Sequence, residues 1–380
     1  MNNFVTYKKD DLVSTMKKII AYIFFASVFG KQKTTNGDKT PDLSKLKRIL
    51  IVRNDQIGDL ICSLPVFEAL KKACPHAEIT LVASTYSFSV AKNNPYIDNI
   101  LCYEKHKHSK RRFRFLSAWH QYRFLKKLRK ENFDLAIGLR SHFSYMQGLM
   151  VFASGAVYRL GHGPKRPKYR HLSFFYNIHI PKNKENKHEV ERSLDVVRAI
   201  GVNIDQPAPL VVINRKEKEY AKTKIDAANI NGFPIIGYHI SNRKKQLVWP
   251  LENFARLIEL LKQSYPRSEH IITFAPGDQK RAKKLKLMIK NNTHVFATQE
   301  IKQLGAIQSL CNLFITLDGA PMHLAAALSV PTLALLQSRN HYNTWHPWGN
   351  GHRSLFKGGD IAGICPEEVY ETSVEMIKKI

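Results

Sequence analysis

A chain of 380 residues exceeds one ordinary domain of about 150 residues and leads to the expectation of two. Its 44% hydrophobic content supports buried cores, and its formal net charge of +28, from 59 Lys and Arg against 31 Asp and Glu, implies an anionic partner: nucleic acid, anionic lipid or a phosphorylated substrate. The five cysteines (Cys62, Cys74, Cys102, Cys311 and Cys365) are scattered without a Cys-x-x-Cys pair, which argues against a zinc site or a disulfide framework and suits a reducing, cytosolic setting.

Taken in chain order, Lys8, Lys9, Lys17 and Lys18 precede the apolar stretch IIAYIFFASVFG, Ile19 to Gly30. Such a stretch gives a helix of only about 18 Å against a hydrocarbon core of roughly 30 Å, too short to span a membrane. Three readings stay open: an interfacial helix dipping one face into an anionic leaflet, a helix packed on the protein's own surface, and a cleaved signal. KQKTTNGDKTPDLSKLK then reads as a polar linker, so the folded body is expected to begin near Lys47.

From there the pattern alternates. RILIVR (Arg48 to Arg53) is a predicted buried strand, SLPVFEALKKACP carries apolar residues at helical spacing, EITLVAS (Glu78 to Ser84) is the next strand and DLAIGL (Asp134 to Leu139) a third. A second series begins at PIIGYHI (Pro234 to Ile240). It continues through the helix ENFARLIELLKQSYP, the strand HIITFAP and the helix AKKLKLMIK, and closes with the strands CNLFITLDG and VPTLALL around the helix PMHLAAALS. Repeating βαβ units imply an α/β chain of two Rossmann-like, doubly wound domains. The expected division is an arm and linker over 1–46, a first domain over 47–215 and a second over 216–380, with the boundary between Pro207 and Lys224.

Open parallel sheets bind ligands at the carboxyl ends of their strands, which singles out two loops. One is RNDQIGD after the first strand; the other is LDGAPMH after a late strand of the second series. Facing each other across an interdomain cleft, they would form one site from two halves. In the second loop Gly319 permits close backbone approach, and Pro321 suits a first helical turn whose N–H groups favour an anion such as a diphosphate. His323, one turn in, would add a hydrogen bond or a proton; equally, Asp318 would cap the helix and His323 would be a satisfied core residue. No G-x-G-x-x-G follows the first strand, and neither G-x-x-x-x-G-K-[ST] nor a D-x-D divalent-cation motif is present, which leaves a metal-free diphosphate site.

The segments ILIVRNDQIGDLICSLPVFEALKKACPHAEITLVAS, YRLGHG, HEVERSLDVVRAIGV, WPLENFARLIELL, DGAPMHLAAALSVPTLAL and TWHPWGNGHRSL occur in the order and spacing of a known family. Over roughly residues 47–380 the chain resembles the family 9 glycosyltransferases, the lipopolysaccharide heptosyltransferases and related core glycosyltransferases. The resemblance implies the GT-B fold, an inverting reaction without metal or other cofactor, an acceptor site mainly in the first domain and a nucleotide-sugar site, ADP-heptose or another, mainly in the second. It makes Asp59 the catalytic base, with Asp55, Gln56 and Gly58 on the acceptor side. It groups Asp318, Gly319, Ala320, Met322 and His323 in the diphosphate loop. A carboxylate in the opening turn of a helix is held ionised by the dipole and can accept a hydroxyl proton, although Asp59 also fits a plain N-terminal helix charge. The family lysine shortly before the Trp-Pro pair is absent: SNRKKQLVWP has Leu247 and Val248 there, so Arg243, Lys244 or Lys245 would replace it, with Arg243 first among them.

The basic excess has an address. Lys105 to Lys130 holds eleven Lys and Arg and no Asp or Glu, interleaved with Phe113, Phe115, Trp119, Tyr122 and Phe124, and Arg159 to Arg170 holds five more. Both fall in the expected acceptor domain. They suit a phosphorylated, lipid-linked glycan acceptor at an anionic membrane surface, on the cytoplasmic face of the inner membrane. A solvated helix face is the plain alternative, and nucleic acid ranks lower because no recognised nucleic-acid module is present. The expected function is transfer of heptose or a hexose to lipopolysaccharide core or a related surface glycan; the alternative is a non-catalytic relative that binds membrane or glycan.

Overall fold

A computed structural model of the chain describes residues 2–30, 32, 40–104, 114–181, 186–289 and 293–380, with side chains described for all of these except 2–14 and 114–117. Lys8 and Lys9 as side chains, most of the expected linker, and residues 105–113 of the first basic cluster lie outside what is described. The chain divides into two units. One comprises Met1–Phe88, Asn93–Glu185 and Val190–Pro207; the other comprises Ser89–Lys92, Asn186–Glu189 and Ala208–Ile380.

The first unit runs α1 (Asn2–Phe29), β1 (Arg48–Val52), α2 (Ile57–Ala73), β2 (Glu78–Ser84), β3 (Asn99–Tyr103), α3 (Arg114–Lys130), β4 (Leu135–Gly138), α4 (Tyr145–Ala153), β5 (Tyr158–Gly161) and β6 (Ile178–His179), with α5 (Glu189–Arg198) following. Its six strands lie in the order β3-β2-β1-β4-β5-β6, and every pairing is parallel. The central strand β1, RILIV, is aliphatic without alternation because helices cover both faces of the sheet; all but its first residue are buried. Its last residue, Val52, aligns with Val82 on one side and Gly138 on the other.

The second unit repeats the plan: α6 (Arg215–Ala227), β7 (Ile235–His239), α7 (Leu251–Ser264), β8 (Glu269–Phe274), α8 (Gln279–Met288), β9 (Thr293–Ala297), α9 (Ile301–Gln308), β10 (Leu313–Leu317), α10 (Ala320–Ala327), β11 (Thr332–Leu336), α11 (Arg339–Trp345), β12 (Arg353–Phe356) and α12 (Pro366–Ile377). The strand order β12-β11-β10-β7-β8-β9 is again wholly parallel. The helical spacing of α7 buries Leu251, Phe254, Leu257, Ile258 and Leu261 on one face. That face packs in a core with the β7, β10 and β11 aliphatics and with Trp249, whose indole donates to the Ile364 carbonyl at 3.0 Å. In each unit the first strand sits mid-sheet and the winding reverses beside it, between β1 and β4 and between β7 and β10. These are the topological switch points at which a doubly wound sheet opens a crevice.

The N-terminal helix is longer than the apolar stretch Ile19 to Gly30, and one side of it follows the reading of a helix packed on the protein's own surface. It is 28 residues long, and its C-terminal part packs on the first unit's core. Phe29 is buried there, while Ala21, Phe25 and Val28 are partly buried against the same cluster. Phe25 stands 5.3 Å from Phe175 and Tyr22 5.4 Å from Phe174, centroid to centroid, in edge-to-face contacts. Tyr22, Phe25 and Phe29 recur at i, i+3 and i+7, which is why one side of the helix attaches. Among the described residues no helix is long and apolar enough to cross a membrane.

Candidate functional site

At the switch point of the first unit, the chain leaves β1 through Arg53, a side chain only 1% exposed. A buried guanidinium costs several kcal/mol unless its donors are matched. Nη1 donates to the Leu139 carbonyl at 2.7 Å and Nε to the Asp59 carbonyl at 3.2 Å, while Nη2 lies 3.4 Å from Asp59 Oδ1 and Nε 3.2 Å from Asp55 Oδ1. Arg140, just beyond β4, brings its Nε to 3.3 Å from Asp55 Oδ2. Gln147 ties the same two strand ends together: its Nε2 donates to the Val52 carbonyl at 2.7 Å and its Oε1 accepts from the Arg140 N–H at 3.3 Å.

These contacts separate the two aspartates. Asp55 is buried between two arginines, and its carbonyl accepts from the Ser84 and Tyr86 hydroxyls, so it fastens the loop. Asp59 stands in the first turn of α2, where its Oδ2 accepts from the Gln56 N–H at 3.1 Å and the Gln56 side chain answers as the other half of a capping box. Its side chain keeps 20% exposure. The helix N-terminus and the Arg53 guanidinium both stabilise negative charge at this carboxylate. Gln56 is exposed at the mouth of the turn, and Gly58 is buried inside it.

At the switch point of the second unit, Asn242, beyond β7, donates from Nδ2 to the Asp318 carbonyl, beyond β10, at 2.8 Å and so pins the two loops across the crevice. Asp318 Oδ2 lies 3.0 Å from His341 Nε2, presented by α11. Burial works to raise the Asp318 carboxyl, but His341, His323 and Lys244 outweigh it and hold it below the ordinary carboxylate range. Gly319, the residue before α10, has φ 141° and ψ −170°, a conformation essentially confined to glycine. Pro321 follows in the first turn of α10, so the chain turns from strand to helix within two residues; Pro321 has no N–H and the Met322 and His323 N–H groups donate to the Gly319 carbonyl, which leaves the Ala320 N–H and the helix dipole at this N-terminus.

His323 is 5% exposed, and burial pushes its imidazole down to about 4, with Asp318 opposing and His341 and His346 adding to the shift. It is therefore neutral at pH 7. Of the other residues the sequence singles out here, Ala320 lines the turn, whereas Met322 is fully buried in a small cluster with Ala334 and Leu336, a packing position. Arg243 and Lys244 are both exposed on the β7 loop. Lys244 is near enough that its charge acts on Asp318, and its N–H donates to Asn242 Oδ1 at 2.9 Å.

Asp55, Gln56, Gly58 and Asp59 thus share one turn; Asp318, Gly319, Ala320 and His323 share another, with Lys244 on the neighbouring β7 loop. Sequence reasoning passed over Arg53, Arg140, Gln147, Asn242 and His341. The available signal was positional: Arg53 directly follows a buried strand, where a charged residue needs a partner, and Asn242 follows the strand beside the switch point.

The comparisons with known proteins agree with this architecture. The model of the family described as glycosyltransferase family 9 (heptosyltransferase) matches residues 121–359. Lipopolysaccharide heptosyltransferase 3 of Escherichia coli K12 is 23% identical over 304 residues, covering 77% of this chain and 82% of that protein. Among solved structures, a family 9 glycosyl transferase from Veillonella parvula superposes with a TM-score of 0.80 at 18% identity, covering 90% of this chain and 100% of the other. The E. coli ADP-heptose lipopolysaccharide heptosyltransferase II superposes with a TM-score of 0.71 at 19% identity, covering 87% and 99%. With two wholly parallel six-stranded sheets, the GT-B type of fold and a family match over more than half its length, the chain belongs to glycosyltransferase family 9 and is a glycosyltransferase related to the lipopolysaccharide heptosyltransferases.

Proposed function

We propose that this enzyme transfers a heptose, or a hexose, from a nucleotide sugar to the lipopolysaccharide core or a related surface glycan, with inversion at the anomeric carbon. ADP-heptose is the leading donor, since a similar structure is that of an ADP-heptose-dependent enzyme. In the reaction an acceptor hydroxyl attacks the anomeric carbon, the bond from that carbon to the diphosphate oxygen breaks with its electron pair, and the hydroxyl proton passes to the Asp59 carboxylate. Asp59 carries the reading: it is a partly exposed carboxylate at a helix N-terminus, fixed by Arg53 and the Gln56 N–H at the switch point of its sheet.

On the donor side, the α10 N-terminus and Lys244 stabilise the diphosphate, increasingly so as it leaves. Asp318, pinned by Asn242 and paired with His341, keeps the turn in register, and neutral His323 supplies hydrogen bonding from beneath. Residues 47–215 are assigned to the acceptor and 216–380 to the donor. The acceptor is a phosphorylated, lipid-linked glycan met at the anionic cytoplasmic face of the inner membrane, in keeping with the basic clusters of the first unit. A thermal-shift screen of ADP-, UDP- and GDP-sugars tests the donor half, because a ligand of the native state raises apparent stability. A shift with ADP-heptose alone, followed by transfer to a core acceptor, is expected; no shift with any nucleotide sugar would refute the reading.

A further inference from the structure

The N-terminal helix has two apolar sides, and the fold uses only one. Ala21, Phe25, Val28 and Phe29 face the first unit's core. Met16, Ile19, Ile20, Ile23 and Phe24 recur at i, i+3, i+4, i+7 and i+8 on the nearly opposite side. They are exposed: Ile20 by 64%, Ile23 by 61% and Phe24 by 61%. A continuous row of large aliphatic and aromatic side chains in water marks an interaction surface. At the C-terminal end of α1, Phe29 meets Tyr122 of α3 (6.4 Å between ring centroids), and Tyr122 stacks on Trp119, which is 52% exposed.

Among the described side chains the charge around the patch has one sign. Lys17 and Lys18 are exposed at its N-terminal edge, and residues 15–29 contain no acid. The segment Pro167–Phe175, against which α1 packs, exposes Lys168 and Arg170, and α3 exposes Arg123, Lys127 and Lys130. Among the described side chains, a second copy of this surface would bring lysine against lysine with no carboxylate to receive it. An anionic lipid leaflet meets both features, burying the apolar row in the acyl boundary and pairing the cations with headgroups.

We infer that the outward face of α1, together with Trp119 and the flanking cations, docks the enzyme on an anionic lipid leaflet. This deepens the membrane-side reading above and rests on it for its purpose, while its geometry is independent of transfer.

The test is co-sedimentation of the full chain with vesicles of phosphatidylcholine alone and of phosphatidylcholine mixed with phosphatidylglycerol. Binding to the mixed vesicles, weakened by salt and at least about tenfold reduced in an Ile20→Glu/Phe24→Glu variant of unchanged melting temperature, is the expected result. Should that variant misfold, Lys17→Glu/Lys18→Glu, which alters only exposed cations, is expected to lose the preference for phosphatidylglycerol. A wild-type chain that ignores both vesicles, or variants that bind as wild type does, would overturn the inference. So would a dimer in analytical ultracentrifugation that Ile20→Glu/Phe24→Glu dissociates, because the face would then belong to self-association. A chain that binds vesicles yet shifts with no nucleotide sugar refutes the transfer reading alone, and one that transfers sugar but ignores vesicles refutes the docking surface alone.

Discussion

Arg53 holds Asp59 from two directions, with Nε donating to its carbonyl oxygen at 3.2 Å and Nη2 lying 3.4 Å from Oδ1 of its carboxylate. The same guanidinium faces buried Asp55, so one side chain sets both the loop and the position of the proposed base. Removing its charge leaves Asp55 in the interior with Arg140 as remaining counter-charge. Arg53→Met is expected to lower unfolding free energy by about 3–5 kcal/mol in urea titration. Arg53→Lys keeps a charge but loses the fork; a smaller loss of stability with a clear fall in kcat at unchanged donor KM is the expected split.

The donor turn depends on backbone shape more than on space. A Cβ on Gly319 would stand 3.7 Å from Pro321 Cδ, an ordinary contact, yet φ 141° with ψ −170° excludes a side chain on conformational grounds. Gly319→Ala is therefore expected to cost about 1–3 kcal/mol of stability or else to shift the turn and raise donor KM. Urea titration and donor kinetics measure the two outcomes, and a variant unchanged in both would show that the turn does not serve the donor.

Lys244 and Arg243 lie side by side on the β7 loop but differ in reach. Lys244, whose charge contributes to lowering Asp318, is the one proposed to meet the diphosphate at that turn. Lys244→Ala is expected to weaken ADP binding by about tenfold, the effect of one charge-assisted contact, and more than Arg243→Ala or Lys245→Ala. Isothermal titration ranks the three; equal, negligible losses would remove Lys244 from the donor site.

Three buried histidines of the second unit set an acid limit. Burial pushes His239 and His323 down to about 4 and His270 to about 3, against 6.5 for an ordinary imidazole. Well above pH 6.5 neither the folded nor the unfolded chain protonates them. As pH falls from 6.5 toward 4 only the unfolded chain binds the protons, so stability drops by about 1.4 kcal/mol per pH unit for each histidine. Urea midpoints at pH 7 and pH 5 should differ accordingly. His270→Gln, replacing the ring between the Tyr238 and Ser268 hydroxyls, should flatten the profile even as it lowers stability at pH 7.

The sequence makes the middle of each sheet legible and its edges much less so. Glu78–Ser84 is found over the predicted range, and the strands flanking each switch point lie within a residue or two of expectation, because strands covered on both faces are nearly pure aliphatic runs. The outer strands β3, β6, β9 and β12 escape a pattern search: β6 has two residues and β12 four, and β3, β9 and β12 lack an unbroken buried aliphatic run. The helix at the proposed catalytic turn begins at Ile57, ahead of the apolar spacing that betrays it, since its start is fixed by the Gln56 and Asp59 capping box. At the sites, Asp59 and the Asp318 turn were legible from motif and loop position. Arg53, Asn242 and His341 were not, because their roles lie in contacts between segments distant in sequence, as in the 76-residue separation of Asn242 and Asp318.

In the proposed reaction Asp59 takes the acceptor proton. Asparagine at this position keeps an oxygen to accept from the Gln56 N–H, so the capping box survives while the base is lost. The decisive measurement is kcat for Asp59→Asn with ADP-heptose and a core acceptor, alongside the donor-induced thermal shift. A fall in kcat of about 10²–10⁴-fold with the shift retained is predicted. Turnover near that of the wild type would contradict the account.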